Sequence, residues 1–413
     1  MTLRIPATRA VARHCAAIAA LAICLTATPG RAYAADPGPR ATATAEVSVP
    51  GSFDGNVGIA LSPDRATAYV VNVGAKLGSL SAIDLATAAL SWTSSVPMQA
   101  GTPVVSLDGT RILVQTTRGL TVVDPKGGQV LRTLAALRGA SDPVIGPLGK
   151  HVYAADEERG RLLTLDARTL KTIRSTTFCP MDFAGVGPGP EDDAPIDTGV
   201  SVTPNGATVL VGCYMSGLQM FSGVSGKRLG AVAKVTDEGP AAFSPDGTRA
   251  YFAEGTSVSI VDLRTRSLVK RADIYRSDDG RKGAIADSWT PVITMDGSTL
   301  YIPWRANGTL KAVNTKTLQA RNITLDGRAS WGALQAALSP HGKYLYVLTP
   351  NDVVTIDPST GTVIAVDRAT PPGADATAMA IGGSTVGGST VVVTWNATGD
   401  EPSRAGVSLL TMP

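Results

Sequence analysis

The chain is poor in the groups that most enzymes depend on. Of 413 residues, 3 are histidine and 4 are cysteine, aromatics make up 5% and charged residues 17%. His14 lies in an N-terminal apolar segment, which leaves His151 and His341. Both follow turn sequences well apart in the chain and are read as exposed turn residues, which argues against a histidine metal centre or a Ser-His-Asp triad. The sequence has no Gly-x-Ser-x-Gly elbow between strand and helix, no phosphate-binding glycine loop and no Cys-x-x-Cys-His haem motif. After residue 34 no apolar run approaches the roughly 20 residues that span a bilayer as a helix.

The first 34 residues have a different character. Arg4, Arg9 and Arg13 form a positive start, Cys15 to Thr26 is almost continuously apolar, and Ala32-Tyr33-Ala34 before Ala35 fits a small-x-small cleavage site. This is the pattern of a secretory signal peptide, too short for an anchor, and it predicts an extracellular or cell-envelope protein. Ile23 before Cys24 stands where a lipoprotein box needs a small residue. Without residues 1–34, Lys plus Arg falls from 37 to 33 against 34 acids, a net charge of −1. That balance carries neither a nucleic-acid footprint nor a polybasic membrane patch, and no nucleic-acid partner is expected. The mature chain keeps Cys179 and Cys213. In an exported protein such a pair points to a disulfide, the alternative being two separate thiols.

What the chain has in abundance is Val, Thr, Ser, Ala, 44 Gly and 27 Pro, a composition of short strands and tight turns. Residues 35–41 read as a flexible leader, 42–49 as an isolated strand, and then one unit recurs to the end. Its fullest form is Ser244-Pro-Asp-Gly-Thr-Arg-Ala-Tyr-Phe-Ala-Glu-Gly-Thr-Ser-Val-Ser-Ile-Val-Asp-Leu-Arg-Thr-Arg-Ser-Leu-Val269. Measured at the third residue of each first turn, the units fall at 64, 108, 148, 205, 246, 296, 341 and 383. The steps of 44, 40, 57, 41, 50, 45 and 42 residues, with four strands per unit, predict an all-β propeller, because a single four-stranded sheet cannot bury both of its faces alone. The eighth unit offers three strands, Thr377–Ile381, Ser389–Trp395 and Ala405–Leu410, and the strand at 42–49 supplies the fourth, closing the ring within one domain spanning 42–413.

Units such as Phe243-Ser-Pro-Asp-Gly-Thr-Arg-Ala-Tyr-Phe252 and Ile356-Asp-Pro-Ser-Thr-Gly-Thr-Val363 resemble the YVTN family of bacterial propeller repeats over nearly all of residues 42–413. That resemblance implies the fold and says little about function. Its members most often have seven blades, the alternative to the eight counted here.

The motif aspartates are turn-makers: Pro presets φ, Asp bonds its own backbone and Gly takes a positive φ. Function is therefore sought where the repeat is interrupted, at 178–197 and 275–289, in two long connections between blades on the channel face. The entries to the innermost strands place Asn56, Asp142, Asp197, Glu238, Asp287, Trp289, Trp331 and Asp375 around that mouth. An acidic ring with two tryptophans suits a cation, a sugar or an amine-bearing ligand. Glu191, Asp192 and Asp193 could hold calcium through oxygens, without EF-hand spacing. A disulfide from Cys179 to Cys213 would pin the first connection to the rim. The leading expectation is a monomeric, exported module, free of cofactor, that binds a protein, peptide or cell-envelope glycan on this face. The alternatives are a calcium-dependent lactonase or lyase, and a subunit resembling the heavy chain of amine dehydrogenases.

Overall fold

The middle strands of each unit are buried at nearly every position, with small polar residues such as Ser81, Ser259 and Thr355 among the apolar ones, as in strands covered on both faces. The structure shows why. In the computed structural model, residues 44–50, 58–73, 78–97, 101–179, 199–213, 216–233, 235, 239–254, 256–274, 290–304, 309–325, 332–385, 388–398 and 404–412 are described, all within a unit of residues 39–413. They form eight antiparallel sheets of four strands each. Blade 5 is typical, with strands Ala242–Phe243, Arg249–Glu254, Ser257–Asp262 and Ser267–Asp273 from the centre outward. Tyr251, Val258 and Ile260 pack on Leu300, Ile302 and Val313 of blade 6. Ala250, Phe252 and Val261 pack the other way, on Leu210 and Met220 of blade 4. Alternate side chains thus serve opposite neighbours, while the fourth strand is largely exposed and polar.

Closure follows the expected scheme. The last sheet runs Ala374–Thr385, Gly388–Ala397, Ala405–Met412 and then Thr44–Val49, which pairs antiparallel from Thr44↔Leu410 to Val49↔Ala405. Val47 and Val49 bury against Val407, Leu409 and blade 1. The ring is complete, with the innermost strand of blade 8 against that of blade 1.

Strand direction divides the molecule into two ends. First-to-second and third-to-fourth turns lie at one end, called lower here. Second-to-third loops and blade-to-blade connections lie at the other, called upper. In the first turns the opening Ser or Thr does two jobs. Ser106 Oγ donates to Asp108 Oδ1 (2.6 Å) and accepts from the Arg111 backbone N–H (3.0 Å). Thr294 repeats this with Asp296 and Thr299. The fourth residue is in the left-handed region, as Gly247 with φ 66° shows, and in blade 1 that place is held by Arg65 at φ 56°. In the third-to-fourth turns Asp84, Asp166, Asp262 and Asp357 accept from backbone amides two or three residues on. In blade 4 the corresponding residue is Ser222, a hydroxyl in place of the carboxylate, and its Oγ accepts from the Ser225 N–H (3.1 Å) in the same way.

Two side-chain series tie blades to their neighbours at the lower end. Tyrosines of the second strands reach the following blade's turn: Tyr153 Oη donates to Gly223 O (3.0 Å) and Tyr301 Oη to Pro358 O (2.7 Å). Burial pushes both phenols above the ordinary tyrosine range. The fourth strands contribute Trp92 Nε1 to Pro125 O (3.0 Å), Lys270 Nζ to Thr317 O (3.0 Å) and Arg321 to Thr360 O (2.7 Å). His151, expected as an exposed turn residue, opens a second strand and is half-buried, because its ring lies edge-on to Tyr153. Its pKa is lowered by burial first and by Arg174 next. His341 is exposed in its turn, as expected.

Three outcomes test this account. Val47→Asp places a charge in the closing interface and should destabilise by about 3 kcal/mol or more, whereas Ser48→Asp, on the exposed face of the same strand, should change stability by less than about 0.5 kcal/mol; urea denaturation reads both. Tyr301→Phe leaves the Pro358 carbonyl unpaired and should cost about 1 kcal/mol. Third, Asp64, Asp84, Asp108, Asp166, Asp246, Asp262, Asp296 and Asp357 have pKa values held below the ordinary carboxylate range by their turn hydrogen bonds. A lowered folded-state pKa contributes stability that is present above the unfolded value of about 3.9 and lost as pH falls through the folded value. The melting temperature should therefore drop below about pH 4, and Asp246→Asn together with Asp296→Asn should flatten that drop.

Candidate functional site

The channel mouth at the upper end is built by the entries of the innermost strands. These are short, two to four residues in blades 1 to 7, and neighbouring ones share no ladder. Side chains bridge them instead. Asp142, entering blade 3, accepts from the Thr102 backbone N–H of blade 2 through Oδ2 (2.8 Å). Ser201 Oγ in blade 4 accepts from Ala241 N–H of blade 5 (2.9 Å), and Gln335 Oε1 in blade 7 from Met379 N–H of blade 8 (2.8 Å). The approach at Asp142 is close enough that a Cβ on Gly101 would overlap its carboxylate.

Among the expected rim residues, then, Asp142 is half-buried with one oxygen committed to the ring. Asp375 is exposed at the start of the blade 8 inner strand. Its Oδ1 accepts from Asn351 Nδ2 (3.2 Å), which also donates to Ala374 O (2.9 Å). Asn56, Asp197, Glu238, Asp287, Trp289 and Trp331, and the acids Glu191, Asp192 and Asp193 considered for calcium, lie outside the described residues. The described residues contain no group of three or more His, Cys, Asp or Glu side chains placed to hold a metal ion.

Cys179 and Cys213 form the disulfide, with Cα atoms 5.5 Å apart and a sequence separation of 34. Both are buried with Phe178, Leu162 and Val211. Cys179 follows the fourth strand of blade 3, Thr172–Thr177, at the root of the long connection. Cys213 follows the second strand of blade 4, Thr208–Val211, at the upper end. A bridge over a loop of this size stabilises by about 3–4 kcal/mol in the chain-entropy model.

Sequence reasoning missed Asp156 and Arg159. Asp156 is buried in the upper loop of blade 3, where it accepts from the Arg159 N–H (3.1 Å) and pairs with the Arg159 guanidinium (3.0 Å), whose side chain remains 59% exposed. The signal was a second-strand acid followed by a turn, one step before the disulfide root. It also missed the bridging roles of Ser201 and Gln335, which an alignment of the eight units at their first turns brings to within two positions of Asp142. At the lower end a cleft of about 490 Å³ lies between blades 1 and 2, lined by Tyr69, Leu107, Lys126, Asp64 and Asp108; both carboxylates there are engaged by their own turns.

A large set of solved structures, 1386 chains, shares this shape. The C-terminal WD40 domain of Sif2 is 11% identical at a TM-score of 0.60, covering 90% of this chain and 98% of its own. Dihydro-heme d1 dehydrogenase NirN, in complex with DHE, is 15% identical at 0.57, covering 90% and 78%. Kuenenia stuttgartiensis hydrazine synthase is 17% identical at 0.49, covering 84% and 94%. At these identities the likeness to the Sif2 domain and to NirN is one of fold alone. No curated protein matches the chain. A family model does: PQQ_2, described as outer membrane protein assembly factor BamB, matches residues 31–186 and 76–370. The YVTN repeats, which the units resemble, are not the family this match identifies, although the propeller they implied is the one observed. With more than half of its length matched, the chain belongs to the PQQ_2 family of propeller repeats.

Proposed function

We propose that this protein is an exported binding module that engages a protein or peptide partner at its upper, channel-mouth face. The observation that carries this reading is the disulfide. It joins the root of the longest interruption of the repeat to the neighbouring blade, fixing where that segment leaves a rigid scaffold, as binding surfaces require. The family's description as an assembly factor favours a protein ligand over a glycan. Asp197, Glu238, Asp287, Trp289 and Trp331 are the side chains assigned to contact, with the tryptophans as anchors.

Photocrosslinking in the native host tests this. A photoreactive residue at position 375, on the upper face, should give a discrete protein adduct, and one at position 246, on the lower face, should not give the same adduct. Trp289→Ala with Trp331→Ala should weaken capture roughly 30-fold, the equivalent of a 2 kcal/mol hot spot, and Cys179→Ser with Cys213→Ser should weaken it while leaving the purified propeller folded. An adduct from 375 that ignores both pairs of substitutions would refute the assignment.

A further inference from the structure

The lower face carries a surface that the upper-face reading does not use. Large hydrophobic side chains that remain exposed in the described residues all fall at this end. Leu107 (53%), Leu148 (65%) and Met295 (65%) stand at first-turn tips, and Val224 (74%) at a third-to-fourth turn. The others open fourth strands, among them Leu131 and Val269, which sit at bulges that rotate them outward. The tips are neighbours around the ring: a Cβ on Gly149 would lie 3.1 Å from Leu107, placing Leu107 beside Leu148, and one on Gly342 would meet Met295. Leu107 and Met295 replace the Pro of the repeat, and Leu148 replaces its Asp. Nothing in the turn geometry demands these residues, because the same turns form with Pro and Asp elsewhere.

Between the tips the exposed charge is mostly basic. Lys126, Arg168, Lys227, Arg264 and Lys316 occupy the third-to-fourth turns, and Lys343 a first turn, all exposed. Acids at this end are the turn aspartates, ionised and bonded to their own turns; Asp64, Asp108, Asp246 and Asp296 are exposed beside these bases.

We propose that the lower face docks on an anionic lipid bilayer, with Leu107, Leu148, Val224 and Met295 entering between headgroups and the turn lysines and arginines facing lipid phosphates. Short aliphatic tips projecting around a ring, rather than converging on a groove, match a plane of headgroups better than a protein's anchor residue. The basic groups between them supply the attraction to anionic lipid that apolar tips of this size need. This surface is independent of the upper-face assignment, and its failure would leave that assignment intact.

Flotation of the exported full-length product with vesicles tests it. Binding should occur with phosphatidylglycerol vesicles and not with phosphatidylcholine vesicles, and should fall as salt is raised. Lys126→Glu with Lys227→Glu should weaken it roughly tenfold or more. So should Leu107→Ser with Leu148→Ser, and separately Val224→Asp, all at exposed positions where melting should be unchanged. Arg159→Glu, on the upper face, should leave it intact. Absence of flotation with phosphatidylglycerol, or equal losses from Arg159→Glu and the lower-face variants, overturns the proposal; capture of an acidic protein by this face without vesicle binding does so as well.

Discussion

Everything in this fold depends on one pairing, between Thr44–Val49 and Ala405–Met412. Each blade is apolar on both faces of its middle strands, so no blade is stable without two neighbours. In a linear array the first and last blades would each expose such a face. The ring removes both exposures, but only if its ends are held together, and a six-residue antiparallel register holds them with backbone hydrogen bonds as well as Val47 and Val49. Stability of any one blade is thereby coupled to a contact between residues more than 350 positions apart.

A second constraint acts within the ring. Blades share no backbone ladder, so the angle between them must be set by side chains. At the lower end this is done by Tyr153, Tyr301, Trp92, Lys270 and Arg321, each donating to a carbonyl of the next blade's third-to-fourth turn. At the upper end Asp142, Ser201 and Gln335 accept from neighbouring backbone amides. The lower series recurs because both the donor strand and the acceptor turn recur. The upper series varies, with a different residue type at each bridge, because the connections there differ in length.

This difference explains what could be read from the sequence. The period, the four strands per unit, the 3+1 closure and the cysteine pair were legible because each leaves a mark that repeats or counts. The turn role of Ser222 was hidden by comparison with Asp, although a hydroxyl accepts an amide proton equally well. The lower-end Tyr was visible as a motif residue, but its partner was not, since a donor and a carbonyl from separate blades lie 57 residues apart in the case of Tyr301 and Pro358. At the mouth, Asp142 was legible as a residue placed at the rim but not as one whose carboxylate bridges two blades. A carboxylate in sequence carries no mark of whether a backbone amide already occupies it.

The same reasoning separates two ways a propeller can acquire a surface. At the upper end, insertion is free, because a connection can lengthen without disturbing either blade. At the lower end the turns are fixed by the Ser-Asp-Gly geometry, and lengthening them would break the hydrogen bonds from Ser or Thr to both the Asp and the second strand. Variation there is confined to substitution at positions the turn does not use. Leu107 and Met295 at the Pro position are of that kind. Blade 3 goes further: with Gly146 and Leu148 it gives up the Ser–Asp bond altogether and keeps only the backbone turn, Gly149 N–H to Gly146 O (2.8 Å). A turn that surrenders its own stabilising side chains to present a 65% exposed leucine is hard to account for by folding alone, since a buried alternative or the ordinary Asp would cost nothing in geometry. Its side chain is instead available to whatever meets the lower face, where the repeat is otherwise most regular.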